Sequence, residues 1–292
     1  DPNLVVLCAD LTESTRSLMF KKEFSDRFVQ LGVSEQGMVV LAAGMALAGK
    51  VPWVSSYAMF CPGRTWEQVR TNVCLNNANV KIAGAHAGVS VGPDGATHQA
   101  IEDIAIMRCI PNMTVLAPSD MIETRKAVVA ASKMMGPVYV RFAREKSPVF
   151  TTEDTPFVIG KAEVFREGKD AAIIACGPLV HNALLAAEAL SKQGIQCRVI
   201  NNHTIKPLDE ATIVKAAQEC GAVVSVEEHQ IMGGMGSAVA ELLARTSPTP
   251  QEFVGVHDRF GESGTPSELI EALGMGVGAI QDAVRKVLKR KK

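Results

Sequence analysis

Short apolar runs alternate along the first half of the chain with segments whose apolar residues recur at helical spacing. The runs are rich in β-branched residues and end at polar or turn-forming residues, which is typical of buried strands. The predicted strands are 4–9, 28–31, 51–57, 80–85, 114–118 and 138–142. Because strands that alternate with helices form mostly parallel sheets with helices on their faces, this half is predicted to be an α/β domain.

The second half shows the same alternation. Its predicted strands are 171–176, 197–200, 222–226 and 253–256. The stretch 151–170 lacks clear periodicity and contains Pro156 and Gly160, which favours a linker. The chain is 292 residues long, a length that suits two domains of ordinary size. We therefore predict the fold class α/β, with two consecutive domains of mostly parallel sheets at 1–150 and 171–292.

The composition and the net charge argue against nucleic acid and membrane surfaces as partners of this chain. Hydrophobic residues make up 47% of the chain and charged residues 21%, which is ordinary for a folded protein in water. The formal net charge is −1, so the chain lacks the basic footprint of proteins that bind nucleic acid or membrane surfaces. The basic run 285–292 closes an amphipathic helix and is expected to be a solvated tail. No apolar run reaches membrane-spanning length, and no signal peptide is visible.

The cysteines are spaced irregularly, and none forms a CxxC pair. The seven are Cys8, Cys61, Cys74, Cys109, Cys176, Cys197 and Cys220. This pattern argues against a disulfide framework or a zinc site and favours the reducing cytoplasm.

A helix of small residues is predicted at 36–48, and Glu35 stands at its start. Because the helix has almost no polar face, we expect it to be buried on all sides and to pack closely against its neighbours. Two interpretations of Glu35 are open. It can be a helix-start carboxylate stabilised by the helix dipole, or an acid in a dry site that shares its proton with a ligand.

A glycine-rich turn at 92–99 carries Asp94 and His98, and a helical pattern follows it. Gly92 and Gly95 allow the backbone to bend sharply near a ligand. Other polar or aromatic residues follow the predicted strands: Asp10, Tyr57, His86 and Arg144. Ligands of open parallel sheets bind beyond the carboxyl ends of the strands, so the sequence predicts a site at this edge.

Each of these residues also has a purely structural interpretation. Tyr57 and Phe60 can stack on a flat heterocycle or belong to the core. Arg141 and Arg144 can bind a phosphate or form surface ion pairs.

A second glycine-rich stretch, 233–237, opens a predicted helix in the second domain. Such a start can cradle phosphate, but it lacks the Walker lysine and the full dinucleotide fingerprint. A tight turn that packs the helix onto the sheet is favoured.

Taken together, three motifs resemble transketolase. They are the segments 8–11, 32–38 and 94–99, the last followed by Glu102 and Asp103. The resemblance is to the C-terminal portion of that enzyme, the pyrimidine-binding domain plus the C-terminal domain, and it extends over essentially the whole chain. The length is similar to that of the B subunit of split transketolases.

The resemblance implies roles at a thiamine diphosphate site. Glu35 corresponds to the acid that hydrogen-bonds N1′ of the aminopyrimidine and promotes loss of the thiazolium C2 proton. Phe60 corresponds to the residue that stacks on the pyrimidine, with Tyr57 beside it. Asp10 and Leu11 match residues near the cofactor. The cofactor supplies the carbanion chemistry, and the protein supplies orientation and electrostatics.

The resemblance also implies substrate contacts. His86 and His98 match histidines that contact the ketose oxygens and assist proton transfer. Asp94 matches an acid that binds a donor hydroxyl. Residues matched to the phosphate end of the substrate are Ser14 and Arg144, with Arg141 similar to the pattern of 1-deoxyxylulose-5-phosphate synthase.

Two departures from the family bear on the pyrimidine pocket and on the partner. Gly63 stands where the family often has another aromatic residue. The Gly-Asp-Gly motif that holds Mg²⁺ and the diphosphate is missing, so this chain is expected to provide no metal ligand. The resemblance therefore implies a second, N-terminal transketolase subunit that binds the diphosphate and Mg²⁺, in an α₂β₂ heterotetramer.

The expected function is that of one half of a transketolase of the pentose phosphate pathway. It would move a two-carbon ketol unit from a ketose phosphate to an aldose phosphate. Three alternatives stay open: chemistry like that of 1-deoxyxylulose-5-phosphate synthase, chemistry like that of a 2-oxoacid dehydrogenase beta subunit, and a non-catalytic regulatory subunit.

Overall fold

A computed structural model describes residues 1–291 and shows two sheets. The strands of the first sheet are β1 (Leu4–Cys8), β2 (Phe28–Gln30), β3 (Val51–Tyr57), β4 (Lys81–Ala85), β5 (Thr114–Leu116), β6 (Val138–Arg141) and β10 (Thr204–Lys206). Those of the second are β7 (Glu163–Arg166), β8 (Ala171–Ala175), β9 (Cys197–Asn201), β11 (Val223–Gln230) and β12 (Gln251–Val256). The strand order is β10-β5-β6-β4-β3-β1-β2 in the first sheet and β12-β11-β8-β9-β7 in the second. The mostly parallel α/β architecture predicted for both halves is confirmed.

The helices connect these strands. They are α1 (Leu18–Glu23), α2 (Glu35–Leu47), α3 (Trp66–Gln68), α4 (Asp103–Arg108), α5 (Met121–Lys133), α6 (Leu179–Ser191), α7 (Glu210–Cys220), α8 (Met235–Thr246), α9 (Pro266–Ala272) and α10 (Val277–Leu288). Two π-helical turns, Met59–Arg64 and Val69–Cys74, flank α3. Over residues 1–291, no helix is long and apolar enough to cross a membrane.

Two short edge strands were not predicted. β7 lies inside the stretch 151–170 and pairs antiparallel with β9. β10 comes from the second half of the chain, yet it pairs antiparallel with β5 of the first sheet. The largest apolar cluster accordingly contains residues of both halves, such as Val115 and Ile174. The two halves therefore share buried surface.

Helix α2 was expected to be buried on all sides, but one side of it is exposed. Met38, Val39 and Ala42 are buried, but Val40 is 45% exposed and Leu47 is 68% exposed. The prediction was wrong for the isolated chain, because α2 lies at the outside of the first domain and only one of its sides packs against the core. An apolar face of α2 is left at the surface.

Helix α5 begins at Met121, after two residues whose types both favour the N-cap. Asp120, not Ser119, is the N-cap, and its carboxylate accepts a hydrogen bond from the backbone of Glu123. Ser119 instead donates from its hydroxyl to the Glu123 carboxylate. A capping residue preceded by a hydroxyl residue is hard to assign from sequence, since both types favour the N-cap.

Candidate active site

The first sheet brings the predicted residues to one edge. β3, β4 and β6 are neighbours in the sheet and run parallel. Tyr57 is the last residue of β3, His86 follows β4, and Arg144 lies just beyond β6. Their side chains therefore meet beyond the carboxyl ends of the strands, where ligands of such sheets bind.

Four rings pack together at this edge. Tyr57 stacks on Phe60 with ring centroids 5.9 Å apart and planes 17° apart. The His86 ring lies 4.3 Å from Tyr57. His98 approaches edge-on, 5.5 Å from Phe60 and 6.2 Å from Tyr57. The fold thus places the predicted stacking residues and the two predicted histidines in one cluster.

His86 is held neutral at ordinary pH. Burial, together with the nearby Arg144 guanidinium, lowers its pKa from 6.5 to about 4, and Asp94 opposes this shift. Its Nδ1 is buried without a hydrogen-bond partner in the described part of the chain. A buried imidazole nitrogen without a partner is costly, so a ligand that supplies one would be stabilised here.

The glycine-rich turn presents His98 from the other side. His98 Nδ1 lies 2.9 Å from Thr97 Oγ1, and the ring is half-buried. Gly92 and Gly95 have φ values of 80° and 73°, in the left-handed region that favours glycine. Helix α4 starts five residues after His98, so the histidine lies within the loop.

Arg144 and Asp94 form an ion pair at the mouth of the site. Arg144 Nη1 lies 3.1 Å from Asp94 Oδ1 and donates to the Val91 carbonyl at 2.6 Å. The cleft beside this pair has a volume of about 600 Å³, and Ser14, Tyr57, His86 and Arg144 line it. The other lining residues, not selected from sequence, are Glu13, Arg16, Glu145 and Lys146. Arg16 and Lys146 add positive charge to the cleft beside Arg144, and Glu13 and Glu145 add negative charge.

Glu35 begins α2 and is only 3% exposed. Its Oε2 accepts a hydrogen bond from Arg64 Nη1 at 2.8 Å. The Arg64 guanidinium also lies 4.9 Å from the Phe60 ring centroid. Arg64 was not predicted as a site residue, since nothing in its sequence surroundings links it to Glu35. A buried carboxylate acceptor beside stacked aromatic rings fits an aminopyrimidine, so the described residues suit that end of thiamine diphosphate.

The structure corrects the expectation for Arg141. This side chain is 5% exposed, and its Nε donates to Asp103 Oδ2 at 2.8 Å. Its Nη2 donates to the Glu228 carbonyl at 2.8 Å. Asp103 also accepts from the Tyr139 hydroxyl at 2.6 Å. Arg141 is therefore buried in an internal network and does not face the cleft as a phosphate ligand would.

The predicted cofactor neighbours Asp10 and Leu11 follow β1 but do not line the cleft. Asp10 is exposed with φ 61°, and Gln30 Oε1 accepts its backbone N–H at 3.2 Å. Their proximity to a cofactor stays a prediction.

The glycine-rich start of α8 does not offer a free phosphate cradle. The Glu227 carboxylate accepts from the backbone N–H groups of Met235 and Gly236 at 2.7 and 2.8 Å. The amides at this helix start are thus paired inside the protein, which supports the tight-turn interpretation. Over residues 1–291, no group of three or more His, Cys, Asp or Glu side chains is arranged to hold a metal ion.

Comparisons with known proteins agree with this geometry. Residues 1–149 match the family model for the transketolase pyrimidine binding domain, and residues 160–280 match that for the transketolase C-terminal domain. The chain is 44% identical to a putative transketolase C-terminal section of Methanocaldococcus jannaschii, over 99% of this chain and 91% of that protein. It is 40% identical to the 6-deoxy-6-sulfo-D-fructose transketolase subunit SqwH of Clostridium sp. (strain MSTE9), over 100% of this chain and 90% of that protein.

A solved structure described as the inactive β4 tetramer of a split-gene transketolase is 44% identical and superposes with a TM-score of 0.94. The match covers 100% of this chain and 94% of that one. A transketolase pyrimidine-binding domain implies a thiamine diphosphate-dependent family. On its fold, its two domain matches and its relatives, this chain belongs to the transketolase family.

Proposed function

We propose that the chain is one subunit of a thiamine diphosphate-dependent transketolase that moves a two-carbon ketol unit from a ketose phosphate to an aldose phosphate. The observation that carries this proposal is the cluster at the sheet edge. There, the rings of Tyr57, Phe60, His86 and His98 pack together, and Arg64 joins Phe60 to the buried Glu35.

Glu35 and Phe60 would hold the aminopyrimidine. Glu35 would share a proton with N1′, and its burial makes that hydrogen bond stronger than it would be in water. Phe60 and Tyr57 offer flat apolar surface for stacking. Arg64 would have to share the Glu35 carboxylate with the ring or release it. The bound cofactor supplies the carbanion stabilisation that ketol transfer requires.

His86 and His98 would contact the oxygens of the sugar. A neutral His86 can accept a hydroxyl proton at one nitrogen and donate from the other, as a proton-transfer group must. His98 reaches the same space from the glycine-rich turn, and Asp94 on that turn would bind a donor hydroxyl.

The far end of the cleft would bind the anionic group of the sugar. Arg144 and Ser14 line the cleft, together with Arg16 and Lys146. Arginine forms strong charge-assisted hydrogen bonds to phosphate and similar anions. The Clostridium relative is named for a sulfo-fructose. We therefore propose a ketose with an anionic terminal group as the substrate class.

A second, N-terminal transketolase subunit would complete the site by binding the diphosphate and Mg²⁺. The relative described as an inactive β4 tetramer supports a need for another chain. The exposed apolar face of α2, with Val40, Leu41 and Leu47, is the contact we propose. It begins beside Glu35, so association there would close the cofactor site, and α₂β₂ is the assembly we propose. The free thiols are consistent with the cytoplasm as its location.

The test mixes this chain with its N-terminal subunit, thiamine diphosphate, Mg²⁺, xylulose 5-phosphate and ribose 5-phosphate. The proposal predicts sedoheptulose 7-phosphate in the mixture, and Glu35→Gln should lower kcat by about 100-fold or more. Glu67→Gln, an exposed acid on the neighbouring helical segment, is the matched control and should leave kcat unchanged. Carbon dioxide released from pyruvate, without ketol transfer, would instead favour chemistry like that of 1-deoxyxylulose-5-phosphate synthase.

A further inference from the structure

The loop 88–102 belongs to the first domain by sequence, but its buried ends pack in the second. Val89 and Ile101 are almost fully buried, at 0% and 2% exposure. Both belong to the apolar cluster of the second domain, with Ile173 of β8 and Val224 of β11. This loop carries Asp94 and His98 between those two anchors. Its position therefore depends on the second domain.

Glu228 of β11 holds the first end of the loop. Its buried Oε1 accepts from the backbone N–H of Ser90 at 2.6 Å. Gly88 has φ 87°, and a Cβ atom there would lie 2.3 Å from the same oxygen. The loop backbone thus approaches the carboxyl group too closely for any side chain. A glycine is required here both by conformation and by the contact.

Gln99 joins the loop to itself and to the second domain. This side chain is 3% exposed, and the two N–H groups of its amide face three backbone carbonyls, so one N–H is shared between two acceptors. The acceptors are Val89 at 3.2 Å, Gly92 at 3.3 Å and Glu262 at 2.9 Å. The first two close the loop, and the third fastens it to the segment before α9. Because Gln99 follows His98 directly in the sequence, these hydrogen bonds also restrict where the His98 backbone can lie.

Backbone and ion-pair contacts hold the second end. The Ile101 carbonyl accepts from the Gln230 backbone N–H at 2.8 Å. Arg141, fixed on Asp103, donates to the Glu228 carbonyl at 2.8 Å. At the tip of the loop, a Cβ atom on Gly95 would lie 2.7 Å from Ser263 Oγ. The second domain therefore packs closely against the loop backbone there as well.

We propose that the second domain is the template that sets the positions of Asp94 and His98, with Glu228 and Gln99 as its positioning residues. The roles of Asp94 and His98 in substrate binding rest on the proposed function. The proposal that the second domain positions the loop 88–102 rests only on the contacts between the two. It gives the C-terminal domain a function in the active site, although none of the side chains we assign to substrate or cofactor comes from that domain.

Hydrogen–deuterium exchange on the whole chain tests the template without any assay of activity. Glu228→Leu keeps the side-chain bulk but removes the acceptor, which leaves the Ser90 N–H unpaired. Amides of the peptide 88–102 should then exchange about 10- to 100-fold faster. Peptides of β8 and β9, which do not contain the substituted residue, should exchange as in the wild type.

Rescue and control variants distinguish a loss of loop positioning from a general loss of folding stability. Glu228→Gln keeps a carbonyl acceptor and should restore loop protection to within about threefold of the wild type. Gln99→Met removes the three donated hydrogen bonds and should reproduce the faster exchange, and it takes the place of Glu228→Leu if that variant does not fold. Glu188→Leu, on an exposed surface of the same domain, is the matched control and should change nothing in the loop.

The assembled enzyme gives the second readout. In Glu228→Leu and Gln99→Met, kcat/KM for the ketose should fall by about 100-fold, since small displacements of catalytic groups have effects of that size. The affinity for thiamine diphosphate should stay within about twofold, because Glu35 and Phe60 lie outside the loop. Unchanged exchange of the peptide 88–102, or equally faster exchange in β8 and β9, would contradict the proposal that the second domain positions the loop. Absent ketol transfer by the wild-type complex would overturn the proposed function instead, and the exchange result would still decide this inference.

Discussion

Arg64 Nη1 donates a hydrogen bond to Glu35 Oε2 at 2.8 Å, and the two side chains differ sharply in exposure. The Glu35 side chain is 4% exposed and that of Arg64 is 49% exposed. The arginine therefore balances a buried carboxylate from the solvent side. In the proposed site, Glu35 would form the hydrogen bond to N1′ of the aminopyrimidine, so Arg64 and the cofactor would meet at the same carboxylate.

A double-mutant cycle on this pair should give a coupling free energy of unfolding of about 1 kcal/mol, since solvent screens the half-exposed arginine. Arg64→Met alone should lower the free energy of unfolding, because it leaves the buried carboxylate without its cation. In a Glu35→Gln background the same change should have little effect. Urea denaturation of the four chains measures the cycle, and a zero coupling would mean that the pair does not stabilise the chain.

Arg144 should discriminate between phosphorylated and unphosphorylated donors. In the assembled enzyme, Arg144→Met should raise KM for xylulose 5-phosphate by about tenfold or more, because a charge-assisted contact is lost. KM for xylulose, which lacks the phosphate, should change much less. Steady-state kinetics with both donors measures the difference. An equal rise for the two sugars would show that Arg144 does not bind the phosphate.

Arg141 should be a stability residue. Arg141→Met leaves the Asp103 carboxylate buried without its cation and should lower the free energy of unfolding by about 3 kcal/mol. Arg125→Met removes an exposed ion pair with Glu153 and should change it by less than about 0.5 kcal/mol. Urea denaturation compares the two. A loss below about 1 kcal/mol in Arg141→Met would contradict the buried network.

His203 should make the folded chain less stable in acid. Its ring stacks on Phe157 at 4.2 Å, and burial lowers its pKa from 6.5 to about 4. Between these values the unfolded chain binds a proton that the folded chain does not, so the stability contributed by this group is lost as the pH falls below 6.5.

The matched variant for this effect is His203→Gln, which removes the titrating group. The free energy of unfolding of the wild type, relative to the variant, should fall by about 2 kcal/mol between pH 7.5 and pH 5. Denaturation at both values measures the difference, which also cancels the titration of other buried groups. A difference that does not change with pH would contradict the shifted pKa.

Strands inside the sheets were predictable from sequence because burial on both faces leaves continuous apolar runs. β3 occupies Val51–Tyr57, the same range that the pattern predicted. β7 and β10 are short edge strands with a polar residue at each end, so neither gives a continuous apolar run. The exposed face of α2 was missed for a related reason, since its apolar composition alone does not say which side packs inward.

The clustering of Tyr57 and His86 followed from a general rule about strand ends, and the structure confirms that clustering. The link between Arg64 and Glu35 depends on the folding of segments that are separate in sequence, so no motif could reveal it. Arg141 did carry a signal that was overlooked. It lies two residues after Tyr139 in β6, so both side chains point to one face of the strand and meet Asp103.

A titration of this chain with its N-terminal subunit, with ketol transfer measured in saturating thiamine diphosphate and Mg²⁺, is the sharpest test of an active site shared between two chains. A shared site predicts no turnover by either chain alone, and activity that rises until the two are present in equal amounts. Full activity of this chain by itself, or an inactive equimolar complex, would contradict a shared site.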